Sequence, residues 1–271
     1  MLKTICIKSN NERVNNYIID SIKKLKLNDI YLSVHNFSIY KNIIVHYKGN
    51  NYEKFINNFS KLLTKVTINF YNTYLIKYLI NNNYFYFSDF DKDKILEYCK
   101  ENCLEKNFSS KSEFILRKTF KDYLLNNNKI ILKGFINFGV KDYLILLDEI
   151  VGQSVNNYLI EKEYMEFIEL LKCYVNSKPP IADKIYLVYE NHNSTLIDEN
   201  GDDILIDSNI GNQYLSDITF SQNDYCLNTL LTLLPKELII NYTDQSKDDF
   251  LTTLELIFED SILYSEQIGK T

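Results

Sequence analysis

Residues 3–47 read KTICIKSNNERVNNYIIDSIKKLKLNDIYLSVHNFSIYKNIIVHY, and their periods set the fold class. Residues 3–8 alternate and are few, which reads as a strand. Ser9-Asn10-Asn11 then offers side-chain oxygens to cap a helix. Val14, Ile18, Ile22 and Leu25 follow at helical spacing and make one apolar stripe. Ile30, Leu32 and Val34 alternate with Tyr31, Ser33 and His35, and residues 39–47 form a second extended run. A turn at Asn36-Phe37-Ser38 pairs the two runs as a hairpin. Residues 52–80 return to the helical period, with Phe55, Phe59, Leu62, Leu63, Val66 and Phe70 on one side. The opening is therefore a β-α-β-β-α unit, a mixed sheet with helices on one face.

Further along, Ser88-Asp89 starts a short helix carrying Ile95, Leu96, Cys99 and Cys103. Phe114, Ile115, Phe120, Tyr123 and Leu124 mark another, closed by the polar Asn126-Asn127-Asn128. Residues 138–159 and 161–176 read as two helices, with Leu144, Leu147, Val151 and Val155 down the first and Tyr164, Phe167, Ile168, Leu171 and Val175 down the second. Leu144, Leu147, Val151, Tyr164, Phe167 and Leu171 are expected in the main core. On that reading Phe167→Ala costs about 3–5 kcal/mol. Pro179-Pro180 ends the second helix, because proline has no amide to donate. The period then becomes two. Ile185, Leu187 and Tyr189 make a strand, Asn191-His192-Asn193 a turn, and residues 194–198 the return. Asn200-Gly201 is a hairpin signal, and Ile204-Leu205-Ile206 completes a meander. A helix over 224–234 stops at Pro235, followed by strand 237–242, helix 247–259 and strand 261–265. The expected fold is α+β: an N-terminal β-α-β-β-α unit, a central helical region, and a C-terminal β-meander followed by α-β-α-β. The organisation is a basic region 1–80, a helical region 81–181 and an acidic region 182–271, folded as one or two compact domains.

The charge is divided along the same lines. Residues 1–80 hold 12 Lys+Arg against 4 Asp+Glu, a net +8, whereas residues 182–271 hold 4 against 17, a net −13. Two explanations compete: the regions dock on one another, which is the favoured expectation, or the basic head meets an anionic partner. The head contains a single arginine, Arg13, and lysine lacks the bidentate fork that reads bases. Nucleic-acid binding by residues 1–80 is therefore expected to be weak, non-specific and salt-sensitive. The chain has 271 residues, with one alanine, Ala182, and abundant Asn, Lys, Ile and Tyr, a bias that an AT-rich genome explains. Five scattered cysteines do not read as a disulfide framework, and no apolar run is long enough to span a bilayer. A cytoplasmic protein is expected.

Familiar chemistry does not assemble from the motifs. If the first hairpin turns on Phe37, His46 faces position 28 and lies about 23 Å from His35, too far to share an ion. His192 sits in a turn. Cys99 and Cys103 are helix neighbours with no second ligand pair nearby, so they read as buried thiols. Gly269-Lys270-Thr271 lacks the glycine and the following helix of a phosphate loop, and Asp198 to Asp202 reads as a hairpin turn rather than a calcium loop. No catalytic, cofactor or metal residue is assigned.

The stretch 133–175 reads KGFINFGVKDYLILLDEIVGQSVNNYLIEKEYMEFIELLKCYV. It resembles the YtxC-like sporulation protein family of endospore-forming Firmicutes. The resemblance is carried by Gly134-Phe135-Ile136-Asn137-Phe138, by Lys141-Asp142-Tyr143, by Glu161-Lys162-Glu163-Tyr164, and by Glu166-Phe167 with Leu170-Leu171. It is specific over about 130–207, where Leu196-Ile197-Asp198-Glu199-Asn200-Gly201 also fits. The family pattern places an arginine after the second phenylalanine, where this chain has Gly139, so no role of that arginine carries over. The composition suits a spore-forming anaerobe such as the Clostridia. The resemblance implies a cytosolic protein linked to sporulation, with no established reaction or cofactor. The motif residues Phe135, Asn137, Phe138, Lys141, Asp142, Tyr143, Glu161, Glu163, Tyr164, Glu166 and Phe167 are the candidates for contact with a partner, the polar ones foremost. The expected function is binding of another macromolecule, an unidentified protein first. The alternative is an enzyme acting on an anionic substrate at the basic head. Oligomeric state is not legible.

Overall fold

The structure, a computed structural model, describes residues 2–24, 29–204, 221–242 and 247–265. It divides into two compact units, residues 1–160 and 161–271. Leu25, the Leu205-Ile206 end of the meander and Gly269-Lys270-Thr271 lie outside the described residues.

The first unit opens with strand β1 (Lys3–Ser9), helix α1 (Glu12–Lys24), strands β2 (Ile30–Asn36) and β3 (Lys41–Tyr47), and helix α2 (Tyr52–Asn83). This is the β-α-β-β-α order the periods imply. Asn11 Oδ1 accepts the Val14 amide at 3.2 Å and Asn51 Oδ1 accepts the Lys54 amide at 2.9 Å, so each helix starts on a side-chain cap. Helices α3 (Asp89–Asn102) and α4 (Lys106–Asn126) follow, the first on a Ser88/Asp91 capping box. Strand β4 (Lys129–Ile131), unread in the sequence, then pairs parallel to β1. Sheet order is β2-β3-β1-β4, with β3 slotted between β1 and β2 as in split β-α-β units. Alternate residues of one sheet face, Ile5, Ile7, Ile43, Val45 and Ile130, are buried against Val14, Ile18, Phe59 and Leu63.

The first hairpin is paired differently from the expectation. Ile30 faces Tyr47 and Asn36 faces Lys41, so the turn centres between Ser38 and Ile39, not on Phe37. A four-residue connection, closed by the Phe37 amide on the Tyr40 carbonyl at 3.0 Å, shifts the register. His46 therefore faces Tyr31, and His35 faces Asn42. The histidines are four positions apart along the sheet, about 13 Å, which still separates them beyond one ion's reach.

Helix α5 (Leu132–Phe138) leads into helix α6 (Lys141–Ser177), which is continuous. The expected break near residue 160 is absent, because Glu161-Lys162 is polar but fully compatible with a helix. The core assignment along α6 needs correction too. Leu147 and Val151 are buried in the first unit, and Leu144 is half-buried at its margin. Phe167 is 53% exposed and Tyr164 also faces solvent in part. In the second unit the inward residues are Ile168, Leu171 and Val175. Ile168, Leu171 and Val175 are members of the expected stripe; the displaced member is Phe167, which stands one residue, about 100° of helix, away from the buried Ile168.

The second unit continues with strands β5 (Ala182–Glu190), β6 (Asn193–Ile197) and β7 (Asp203–Ile204), helix α7 (Gln222–Leu233), strand β8 (Pro235–Tyr242), helix α8 (Asp249–Ile257) and strand β9 (Ile262–Tyr264). The sheet order is β7-β6-β5-β8-β9, antiparallel through the meander and parallel from β5 to β9. Asn191 and His192 take positive φ in the tight β5–β6 turn, and Gly201 does so in the next. Ile185, Leu187, Leu238 and Ile240 pack inward on Leu230, Leu251 and Leu254.

Candidate functional site

The family motif folds around the end of α4. Tyr123 Oη donates to the Lys129 carbonyl at 3.0 Å, which folds β4 back against the helix that precedes it. Phe135, on α5, lies 5.1 Å from the Phe120 ring and 4.5 Å from the Tyr123 ring, centroid to centroid. Phe120 is fully buried, so this aromatic trio anchors α5 to α4. Beside it runs a surface groove of about 750 Å³, walled by Thr119, Tyr123, Ile131, Phe135, Phe138 and Gly139, with Lys129 at its edge. A smaller cleft of about 140 Å³ lies between Tyr74, Tyr78, Asn137 and Leu144. Phe138 borders both and is 78% exposed.

Gly139 is what permits this wall. A Cβ built there would sit 2.7 Å from the Phe135 ring and 2.8 Å from the Phe135 carbonyl oxygen. The missing side chain lets the ring fold over the chain end of α5, where the Gly139 amide donates to that carbonyl at 2.6 Å. An arginine at this position would require the ring to move.

The other candidates divide. Lys141 and Asp142 are exposed on the first turn of α6. Tyr143 points the opposite way, is buried, and donates to Asn72 Oδ1 at 2.8 Å; burial pushes its phenol well above the ordinary range. It is a packing residue. Glu161, Glu163 and Glu166 are exposed further along α6, in the second unit. Tyr164 Oη lies 2.7 Å from Thr253 Oγ1 on α8, which fixes its ring within that unit. The groove thus gathers Phe135 and Phe138, the smaller cleft beside it Asn137 and Phe138, while Glu161 to Phe167 belong to the other unit.

Cys99 is buried and its thiol is pushed up to about 11 by burial, unsuited to metal or nucleophilic work. Among the described residues no three His, Cys, Asp or Glu side chains cluster as a metal site, and no helix is long and apolar enough to cross a membrane. Asp198 accepts the Asn200 and Asp202 amides, each at 2.9 Å, and so makes a turn. Thr119, Tyr123 and Lys129 were not foreseen at the site. Lys129 stands on β4, whose three residues carry no readable period, and Thr119 and Tyr123 stand on α4.

The YtxC-like family profile matches residues 57–262, three quarters of the chain and all of the groove. The chain belongs to the YtxC-like family. A curated relative, the uncharacterised protein YtxC of Bacillus subtilis (strain 168), is 24% identical over 143 residues, 51% of this chain and 49% of the relative. The chain thus spans about half the length of the curated relative it matches. No solved structure matches it.

Proposed function

We propose that this protein acts in sporulation by holding a protein partner rather than by catalysing a reaction, with the motif groove as the recognition surface. One observation carries the reading: Phe138, a motif aromatic, stands 78% exposed between two clefts. A large exposed aromatic beside an apolar groove is the kind of anchor that dominates protein interfaces. The lining is mostly apolar, which suits an apolar segment of a protein better than a polyanion. Its setting in the cytoplasm and in sporulation comes from the family resemblance.

Phe138→Ser tests the reading. At so exposed a position the melting temperature should stay within the equivalent of about 0.5 kcal/mol. In the organism carrying the gene, heat-resistant spore counts should fall toward those of the deletion strain. Full spore yield from the Phe138→Ser strain, set against a deletion strain that sporulates poorly, would contradict the groove. Normal sporulation of the deletion strain would contradict the process.

A further inference from the structure

We propose that the outer face of the first unit's sheet binds single-stranded nucleic acid. This surface is distinct from the groove in chemistry, and β4 forms their common border. The register places its side chains in rows across the strands: Tyr31, His46 and Thr4; then Ser33, Ile44, Cys6 and Lys129; then His35, Asn42, Lys8 and Ile131. None of these residues is buried, whereas the alternate set on β1, β3 and β4 forms the core.

Charge is the first argument. The four strands contain no aspartate or glutamate, in a chain with 36 of them and a net charge of −6. Lys8 and Lys129 stand on the face, and Lys48 leans over its end. The nearest carboxylate by sequence on that parity, Asp29, lies just before β2 begins and opposite Lys48, whose amide donates to the Asp29 carbonyl at 2.9 Å, so it stands at the end of the face and not within it. Stacking is the second argument. Tyr31 is 52% exposed on the edge strand, and Lys48 Nζ lies 4.9 Å from its ring centroid. A ring and a cation side by side offer a platform to a base and a charge to its phosphate. Hydrogen-bonding groups stand beside the ring: His46 Nδ1 lies 3.2 Å from Thr4 Oγ1, and its Nε2 lies 3.4 Å from Ser33 Oγ.

The shape selects the single strand. Four strands at about 4.8 Å spacing make a face roughly 14 Å wide, which can carry two or three splayed bases. A flat sheet face has no ridge to enter a duplex major groove. Because the cations are lysines, they supply charge without bidentate base reading, so sequence preference should be slight. Three lysine–phosphate contacts give a salt slope of about −2, a loss of roughly 20-fold in affinity between 50 and 200 mM salt.

The test is fluorescence anisotropy of the full chain with labelled oligo(dT) of twelve nucleotides, a duplex of equal length, and unlabelled phosphatidylglycerol vesicles as competitor. The single strand should bind, with that salt dependence. Tyr31→Ala should weaken it at least about 5-fold and leave the slope unchanged, since stacking contributes about 1–3 kcal/mol per base. Lys8→Gln and Lys129→Gln should each flatten the slope by about 0.7. Tyr31→Phe keeps the ring and should keep the binding, which separates lost stacking from lost folding. No single-strand binding at 50 mM salt would overturn the proposal. Equal or tighter duplex binding, loss of the oligonucleotide to the vesicles, or indifference to Tyr31→Ala would also overturn it. Lys129 also lines the groove, so Tyr31→Ala and Lys8→Gln, which leave the groove intact, separate this proposal from the groove reading that Phe138→Ser tests.

Discussion

The two sheets of this protein bury the same kind of face and present opposite kinds. In the first unit Ile5, Ile7, Ile43 and Val45 point inward; in the second Ile185, Leu187, Leu238 and Ile240 do. Those inner faces could be exchanged with little change in chemistry. The outer faces could not. The first shows Tyr31, His46, Lys8 and Lys129 with no carboxylate in its strands. The second shows an apolar row, Ile197, Tyr186, Ile239 and Leu263, beside a Lys184–Glu237 ion pair at 2.9 Å. Residues 1–160 carry 23 Lys+Arg and 15 Asp+Glu, residues 161–271 carry 7 and 21. Hydrophobic burial fixes which face is inside and is blind to charge, so the charge of the open face is free to follow function.

The largest expected effect is on helix α6, where neighbouring residues separate core from surface. Ile168→Ala should cost about 2–5 kcal/mol, because it empties a buried site in the second unit. Phe167→Ala, one residue earlier and half exposed, should stay within about 0.5 kcal/mol. Chemical denaturation of the two variants measures both. Equal losses would mean that the second unit's core extends around α6 and that the one-residue displacement is wrong.

That displacement also marks what the sequence could and could not disclose. The β-α-β-β-α opening was legible because two-residue alternation and a single apolar stripe each extend over several periods. The hairpin register was not, since Phe37-Ser38-Ile39-Tyr40 and the three-residue turn fit the composition equally well. Strand β4 was invisible at three residues, and with it the pairing that sets Lys129 beside Cys6. Helix α6 contributes to two cores in succession, and each has its own stripe in the sequence; Phe167 and Ile168 are neighbours that both fit the second stripe's period, so which of the two faces inward is not legible. Of the site, the motif aromatics were legible through family resemblance. The absence of carboxylates from the first three strands was legible too, but its meaning required the register.

The next effect sharpens the first unit. Gly139→Ala should destabilise by about 1–3 kcal/mol, since its methyl meets the Phe135 ring. Combining it with Phe135→Leu should recover part of that loss, a coupling that a double-mutant cycle reads directly. Strict additivity would show that the ring does not depend on the glycine.

In the second unit, Asp248 caps α8 by accepting the Leu251 amide at 3.1 Å, and it also bonds Tyr189 and, at 3.1 Å, His192. Partial burial pushes its carboxyl up, but these hydrogen bonds outweigh it and hold the carboxyl below its ordinary value. A carboxylate depressed in the folded state stabilises fully above its unfolded pKa and loses that contribution as pH falls through the folded one. Asp248→Ala should therefore cost about 0.5–2 kcal/mol at neutral pH and progressively less as the acid limb is descended below about pH 4. A cost that stays constant from pH 7 down to pH 3 would assign the effect to packing alone.

The smallest effect lies on the second unit's open face. Glu237→Gln breaks an exposed ion pair and should change stability by no more than about 1 kcal/mol. It should leave oligonucleotide binding unaltered, whereas Lys129→Gln on the other sheet should be equally mild for stability and visible in binding.

The most direct measurement of the contrast between the two faces is an amide chemical-shift map of the isotope-labelled full chain titrated with oligo(dT). The account predicts shifts clustered on β1, β2, β3 and β4, strongest around Tyr31, His46 and Lys129, with Tyr186 and Ile239 on the other sheet unmoved. Shifts centred on Tyr186 and Ile239, or spread equally over both sheets, would contradict it.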